Sequence, residues 1–193
     1  KLAAQLGVRY VLAVPLLADL PELLRHLDRP PERYLETHAD GALEVHIATL
    51  ELMAFRLQLF DGRAATLGGS RFAPIRSLRL VVESSATTEL LGRRIAYAKV
   101  FEHVPGARLV AAARAGEQVE LRLGLQTHTG RRLEYRDVAT ADERGEAHFR
   151  LPYSTEPRAG VRATGPVRIR VSDRMVPVTV PEVAVQEGQE IRW

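Results

Sequence analysis

Between residues 118 and 126, apolar and polar side chains alternate without a break: Val119, Leu121, Leu123 and Leu125 take every second position. A period of two puts all four on one face of a β-strand that is half buried. Residues 133–140 and 146–151 read the same way. Between them, Ala141-Asp142-Glu143-Arg144-Gly145 predicts a tight hairpin. Asp142 can bond its own backbone two residues on, and Gly145 can take the positive φ of a bulged turn. Further strands are expected over 78–84, 95–104, 160–171, 175–180 and 182–185, with 87–93 as a polar connection. Pro152, Pro166, Pro177 and Pro181 suit strand ends and sheet edges. Seven or eight short strands with regular turn signals predict a β-sandwich or an open barrel.

Upstream of residue 71 the period changes. Residues 2–6 read as the end of a helix that Gly7 closes. Residues 8–14 are a mostly apolar run that suits a buried strand. Asp19 is placed to cap a helix running to about residue 27, with Pro21 in its first turn. Residues 43–47 alternate like a strand. Leu50, Met53, Ala54 and Leu57 then share one helical face, which predicts a helix over 49–60 ended by Asp61-Gly62. Gly68-Gly69-Ser70 reads as a loop and a domain joint. The expected fold class is α+β. Residues 1–70 form a mixed α/β part, and residues 71–193 form an antiparallel β-sandwich or barrel-like domain of immunoglobulin-like or carboxypeptidase-regulatory-like type.

Composition narrows the chemistry. The 193 residues are 46% hydrophobic, enough for a real core. Twenty-seven basic residues face 24 acidic ones, a net charge of +3. Acids and bases alternate along the strands, as in Glu134-Tyr135-Arg136-Asp137, which reads as a solvated sheet face and argues against nucleic acid as a partner. There are two lysines, Lys1 and Lys99, and no asparagine. With no cysteine, disulfide and thiolate chemistry are excluded. The longest uncharged apolar run, residues 10–18, falls far short of the roughly 20 residues of a membrane helix, so no direct membrane insertion by these residues is expected.

The six histidines (His26, His38, His46, His103, His128 and His148) form no HExxH or other close metal pair. Phe72 stands where a nucleophile elbow around Ser70 needs its second glycine. Phosphate-binding glycine loops are absent, and no carboxylate pair stands out for acid–base work. Aromatics make up 6% of the chain and read as core and edge residues. The expected sets of catalytic and metal-binding residues are therefore empty.

Several segments, in order, carry a family resemblance: Gly7-Val8-Arg9-Tyr10-Val11, Leu57-Gln58-Leu59-Phe60-Asp61-Gly62, the run from Phe72 to Ser84, and Ala98-Lys99-Val100-Phe101-Glu102 followed by Val104-Pro105-Gly106-Ala107. The Tyr135 strand, Leu151-Pro152-Tyr153-Ser154-Thr155 and Val161-Arg162-Ala163-Thr164-Gly165-Pro166 complete the series. Together they resemble the C-terminal soluble region of archaeal-type (AglB-like) oligosaccharyltransferase catalytic subunits. Such enzymes move a lipid-linked oligosaccharide onto the asparagine of an N-x-S/T sequon. The resemblance implies a fragment lying downstream of the family's W-W-D motif, since Trp193 is the one tryptophan here. It implies an extracytoplasmic location, tethered through an absent transmembrane region. The implied partners are an acceptor polypeptide and a lipid-linked oligosaccharide, both engaged through the missing membrane half.

No cofactor is expected in the fragment, although a divalent metal, Mg or Mn, is implied for the parent enzyme. The family's short peptide-pocket helix falls on Asp19, Glu22 and His26. Asp19 matches the family pattern, Glu22 replaces a lysine and His26 replaces an apolar residue. The fragment itself is expected to be scaffold and part of an acceptor-peptide pocket, inactive alone. The alternative is a non-catalytic cell-surface binding or spacer module, because residues 140–149 approximate the T-x-D-x-x-G-x-F hairpin of carboxypeptidase-regulatory-like modules.

Overall fold

The computed structural model describes residues 7–15, 19–38, 43–67 and 69–193. Its first strand, β1 (Tyr10–Ala13), is followed by helix α1 (Leu20–His26). A 3-10 turn over Pro31–Arg33 leads into the ribbon β2 (Leu35–Thr37) and β3 (Leu43–Val45). A second 3-10 turn over Ile47–Glu51 precedes helix α2 (Met53–Phe60). The helix expected over 49–60 is thus split, because Leu52 takes an extended conformation between the two pieces. Asp61 then ends α2 in the left-handed conformation, φ 56°, in keeping with its place before Gly62.

Two more ribbons follow: β4 (Ala65–Leu67) with β5 (Ser70–Phe72), and β7 (Thr87–Leu90) with β8 (Arg93–Ala96). Gly69 therefore turns a hairpin, and the polar connection expected at 87–93 is largely a hairpin. Between these ribbons runs β6 (Leu78–Glu83). β9 (Lys99–His103) is central to the order β1-β9-β6, so residues on both sides of position 70 share one sheet. Where a buried strand was expected at 8–14, β1 is an edge strand. Tyr10 and Leu12 stay 53% and 65% exposed, and Ala13 alone among its four residues is buried. The helix end expected at residues 2–6 lies outside the described residues.

The remainder is sandwich-like. β10 (Ala107–Ala112) lies between β13 (Glu146–Leu151), antiparallel, and the short parallel strand β17 (Glu190–Arg192). A larger sheet runs β12 (Arg132–Thr140), β11 (Gln118–Gln126), β15 (Val167–Val171), β16 (Arg174–Val178), with the two-residue β14 (Arg162–Ala163) also on β11. The α+β class and the sandwich-like β domain are as expected. One expectation fails outright: residues 182–185, expected as a strand, belong to helix α3 (Glu182–Glu187). Pro181 opens this helix and Gly188 closes it at φ 68°.

The inward faces of these sheets share one core. Val119, Leu121, Leu123 and Leu125 are all within 1% of complete burial and meet Phe101, Leu109, Leu151, Val167, Ile169 and Val185. Each such side chain contributes about 1.5–3 kcal/mol of burial. Tyr135 and Tyr153 meet edge to face at 5.6 Å within this core, and the Tyr153 hydroxyl accepts a hydrogen bond from the Leu80 amide at 2.9 Å. A smaller core gathers Leu20, Leu24, Tyr34, Leu50, Phe55 and Phe60 around α1 and α2.

Candidate functional site

Helix α1 carries the three residues implied as a peptide pocket. Leu20 and Leu24, four apart, anchor the helix in the smaller core. Positions 19, 22 and 26 lie about a turn apart, so Asp19, Glu22 and His26 fall together on the opposite, exposed face. Asp19 makes no side-chain cap, contrary to its plain reading as an N-cap; its carbonyl accepts from the Leu23 amide at 3.0 Å. His26 Nδ1 lies 3.1 Å from the Glu22 carbonyl oxygen, the ordinary contact of neighbours one turn apart. Leu23 and Leu27 are also exposed there. The helix therefore presents an open surface of two carboxylates, one imidazole and two leucines, without an enclosing cleft.

The charged chemistry lies elsewhere, buried, in two networks. The first centres on Asp61. Because this residue caps α2 in a left-handed conformation, its carboxylate turns into the protein. There Lys99 Nζ lies 2.8 Å from Oδ1, and Lys99 also donates to the Gln58 carbonyl. Arg131 clamps the same carboxylate with two bonds, of 2.9 and 2.8 Å, and reaches Glu83 through Nε at 3.0 Å and also through Nη2. Thr129 donates to the other Glu83 oxygen. Burial pushes the Asp61 carboxyl up, but the Arg131 hydrogen bonds and the Lys99 charge outweigh it and hold it below the usual range. Glu83 is lowered against the same burial by its bonds to Arg131 and Thr129. Burial lowers the Lys99 ammonium, with Asp61 opposing.

The second network centres on Arg79, buried on β6. Its Nε and Nη2 donate to Glu102 at 3.0 and 2.7 Å, and its Nη1 and Nη2 donate to Glu182 at 3.0 and 2.6 Å. Arg9 and Arg158 approach Glu102 at 3.2 and 3.6 Å. Despite partial burial, the Arg79 guanidinium holds Glu182 down at about 2. This cluster joins the segment before β1, strands β6 and β9, and helix α3. Neither network is visible in the sequence. The available signal is a charged residue inside an apolar run, as at Lys99 in Ala98-Lys99-Val100 and Arg79 in Leu78-Arg79-Leu80. The partners lie 38 and 103 residues away and leave no periodic trace.

In both networks every carboxylate is neutralised by arginine or lysine. None is left as a poised acid, base or nucleophile, and none is free to ligate a metal. Among the described residues one group has metal-ligand geometry, Asp142, Glu146 and His148, with ligand atoms within 4.8 Å of one another. It lies on the β12–β13 hairpin with Asp142 and His148 exposed and Glu146 half-buried, and Arg192 already holds Glu146 at 2.7 Å. The described residues thus offer no buried carboxylate set suited to the divalent metal that the resemblance implies for the parent.

Residues 106–191 match the family model of the archaeal glycosylation protein B long peripheral domain. These residues form an AglB-like peripheral domain. The chain is also similar to the Archaeoglobus fulgidus oligosaccharyltransferase crystallised with Zn and sulfate, at 16% identity and a TM-score of 0.76, covering 100% of this chain and 34% of that one. It is similar to AglB of the same organism in complex with an inhibitory peptide and a dolichol-phosphate, at 16% identity and a TM-score of 0.74, covering 100% and 31%. A third match is the A. fulgidus enzyme tethered to an acceptor peptide containing an NVT sequon, again at 16% and 0.74, covering 99% and 32%. The chain therefore spans about a third of the length of these proteins, and at this identity the likeness is one of fold. No curated protein matches it by sequence. No helix among the described residues is long and apolar enough to cross a membrane.

Proposed function

We propose that the AglB-like chain is the non-catalytic scaffold of an oligosaccharyltransferase that transfers lipid-linked oligosaccharide to asparagine in N-x-S/T sequons on the extracytoplasmic side of a membrane. The observation that carries this reading is the state of the two buried networks. Asp61, Glu83, Glu102 and Glu182 are each paired with arginine or lysine, which suits rigid joining of elements and leaves none of these four to move a proton. The residues that orient the transfer, and any divalent metal, then belong to other regions of the parent enzyme.

Within the parent, the exposed face of α1 borders the acceptor peptide, with Asp19, Glu22 and His26 along it. Their open placement suits a pocket wall completed by other segments. Incubating the chain alone with lipid-linked oligosaccharide, a sequon peptide and Mg or Mn is expected to give no glycopeptide; measurable turnover overturns the scaffold reading. In the full-length enzyme, Asp19→Ala and Glu22→Ala are expected to raise KM for the peptide with kcat nearly unchanged. An unchanged KM removes α1 from the pocket and leaves the scaffold role standing.

A further inference from the structure

The large sheet turns one face to the core and the other to solvent, and its register places the outer face residue by residue. One row across the strands reads Val138, Glu120, Arg170, Met175. The next reads Arg136, Arg122, Arg168, Pro177. Beyond Glu134 and Gly124 a third reads Arg132, Gln126, Arg162. Arg122 therefore has an arginine directly opposite it on both neighbouring strands, an arrangement that costs a sheet stability. Glu120 is nearly buried beneath this face. It pairs with Arg122 at 2.9 Å, Arg170 at 2.8 Å and with Arg136, so one carboxylate is shared by three guanidinium groups.

Within these rows six arginines oppose Glu120 and Glu134, an excess of four positive charges. Setting these eight residues aside from the 27 basic and 24 acidic residues of the chain leaves 21 against 22. The rows of this one sheet face thus carry the whole positive balance of the molecule. Val138 and Met175, at the two ends of the first row, are 44% and 50% exposed, and a shallow groove opens beside Glu117, Glu120, Arg136, Arg170 and Ser172.

We infer that this face docks on the headgroup plane of an anionic lipid bilayer. The guanidinium forks pair with lipid phosphates, and Val138 and Met175 rest at the polar–apolar boundary. An extended, arginine-studded sheet matches a plane of phosphates, and exposed apolar residues among the cations strengthen such contacts. The face carries no aromatic residue on which single-stranded bases could stack, and no helix or ribbon that could enter a duplex groove. Docking is peripheral and requires no insertion.

Vesicle sedimentation tests it. The chain is expected to pellet with phosphatidylglycerol vesicles, to stay in solution with phosphatidylcholine, and to be released by high salt. Arg132→Glu with Arg168→Glu reverses two charges on residues that hold no ion pair among the described side chains, and takes the excess of four to zero. This double variant should lower partitioning by at least about tenfold with a melting midpoint that stays the same or rises, since Arg168→Glu sets opposite charges across from Arg122, whereas Arg25→Glu, on α1, should not lower partitioning. Inorganic phosphate at the same phosphate concentration should not displace the chain. Equal binding to neutral vesicles, displacement by free phosphate, tighter binding to DNA or RNA than to vesicles, or full binding by the double variant would each overturn the inference.

Discussion

Lys99 sits at the start of strand β9 with its side chain 1% exposed and its ammonium 2.8 Å from Asp61. Removing one partner of a buried pair costs up to about 3–5 kcal/mol, and the lower end applies here because Asp61 keeps its two Arg131 bonds. Lys99→Met is therefore expected to lower stability by about 3 kcal/mol and the melting midpoint by roughly 6–12 °C, read by thermal unfolding. Glu182 makes a separate claim on pH. Arg79 holds its folded-state value at about 2, below the ordinary 4.5, so its contribution to stability is complete above about 4.5 and is lost as pH falls toward 2. Denaturant midpoints should be flat from neutral pH down to about 5 and decline below it, and Glu182→Gln should flatten that decline. Nothing at the level of single residues announces these pairs. Lys99 is conspicuous as one of two lysines in the chain, but its partner is fixed by the left-handed turn at Asp61, a tertiary fact.

Among the elements, legibility follows burial geometry. β11 and β13 match their alternating patterns to the residue, because one face of each meets the core and the other meets water. β10 leaves no such trace: Leu109, Val110 and Ala111 are all buried, so no alternation survives, and its alanine-rich end has weak strand preference. α3 reads as a strand because Val183-Ala184-Val185 is a short apolar run with two β-branched residues, while Pro181 and Gly188 mark a helix start and stop. The hairpin from β12 to β13 forms as its chemistry dictates. Asp142 Oδ1 accepts from the amides of Arg144 and Glu146, both at 2.9 Å, and Gly145 takes φ 77°. A Cβ at Gly145 would stand 2.6 Å from the Ala113 carbonyl oxygen, so a side chain meets both strain and collision. Gly145→Ala is expected to cost more than about 1 kcal/mol in a denaturant titration, and Asp142→Ala about 1–2 kcal/mol for the two lost amide bonds.

At the scale of the molecule, the two halves expected from the sequence are sewn together more tightly than their composition suggests. The Arg79 cluster ties the segment before β1 to α3, and β1 completes a sheet with β6 and β9. That connectivity also decides how the molecule carries tension. β9 and β10 are consecutive strands, linked through Val104-Pro105-Gly106; one holds β1 and the other holds β17. A pull applied ahead of Tyr10 and beyond Arg192 runs along this short path. Because β1 and β9 are antiparallel, the load reaches both at the same end, where Tyr10 faces Glu102, and their hydrogen bonds break in succession, like a zip. Because β10 and β17 are parallel, the load enters one at Arg108 and leaves the other at Arg192, so their bonds stretch together in shear. The chain is a mechanical clamp with one weak jaw, and the first strand peels away long before the last slips.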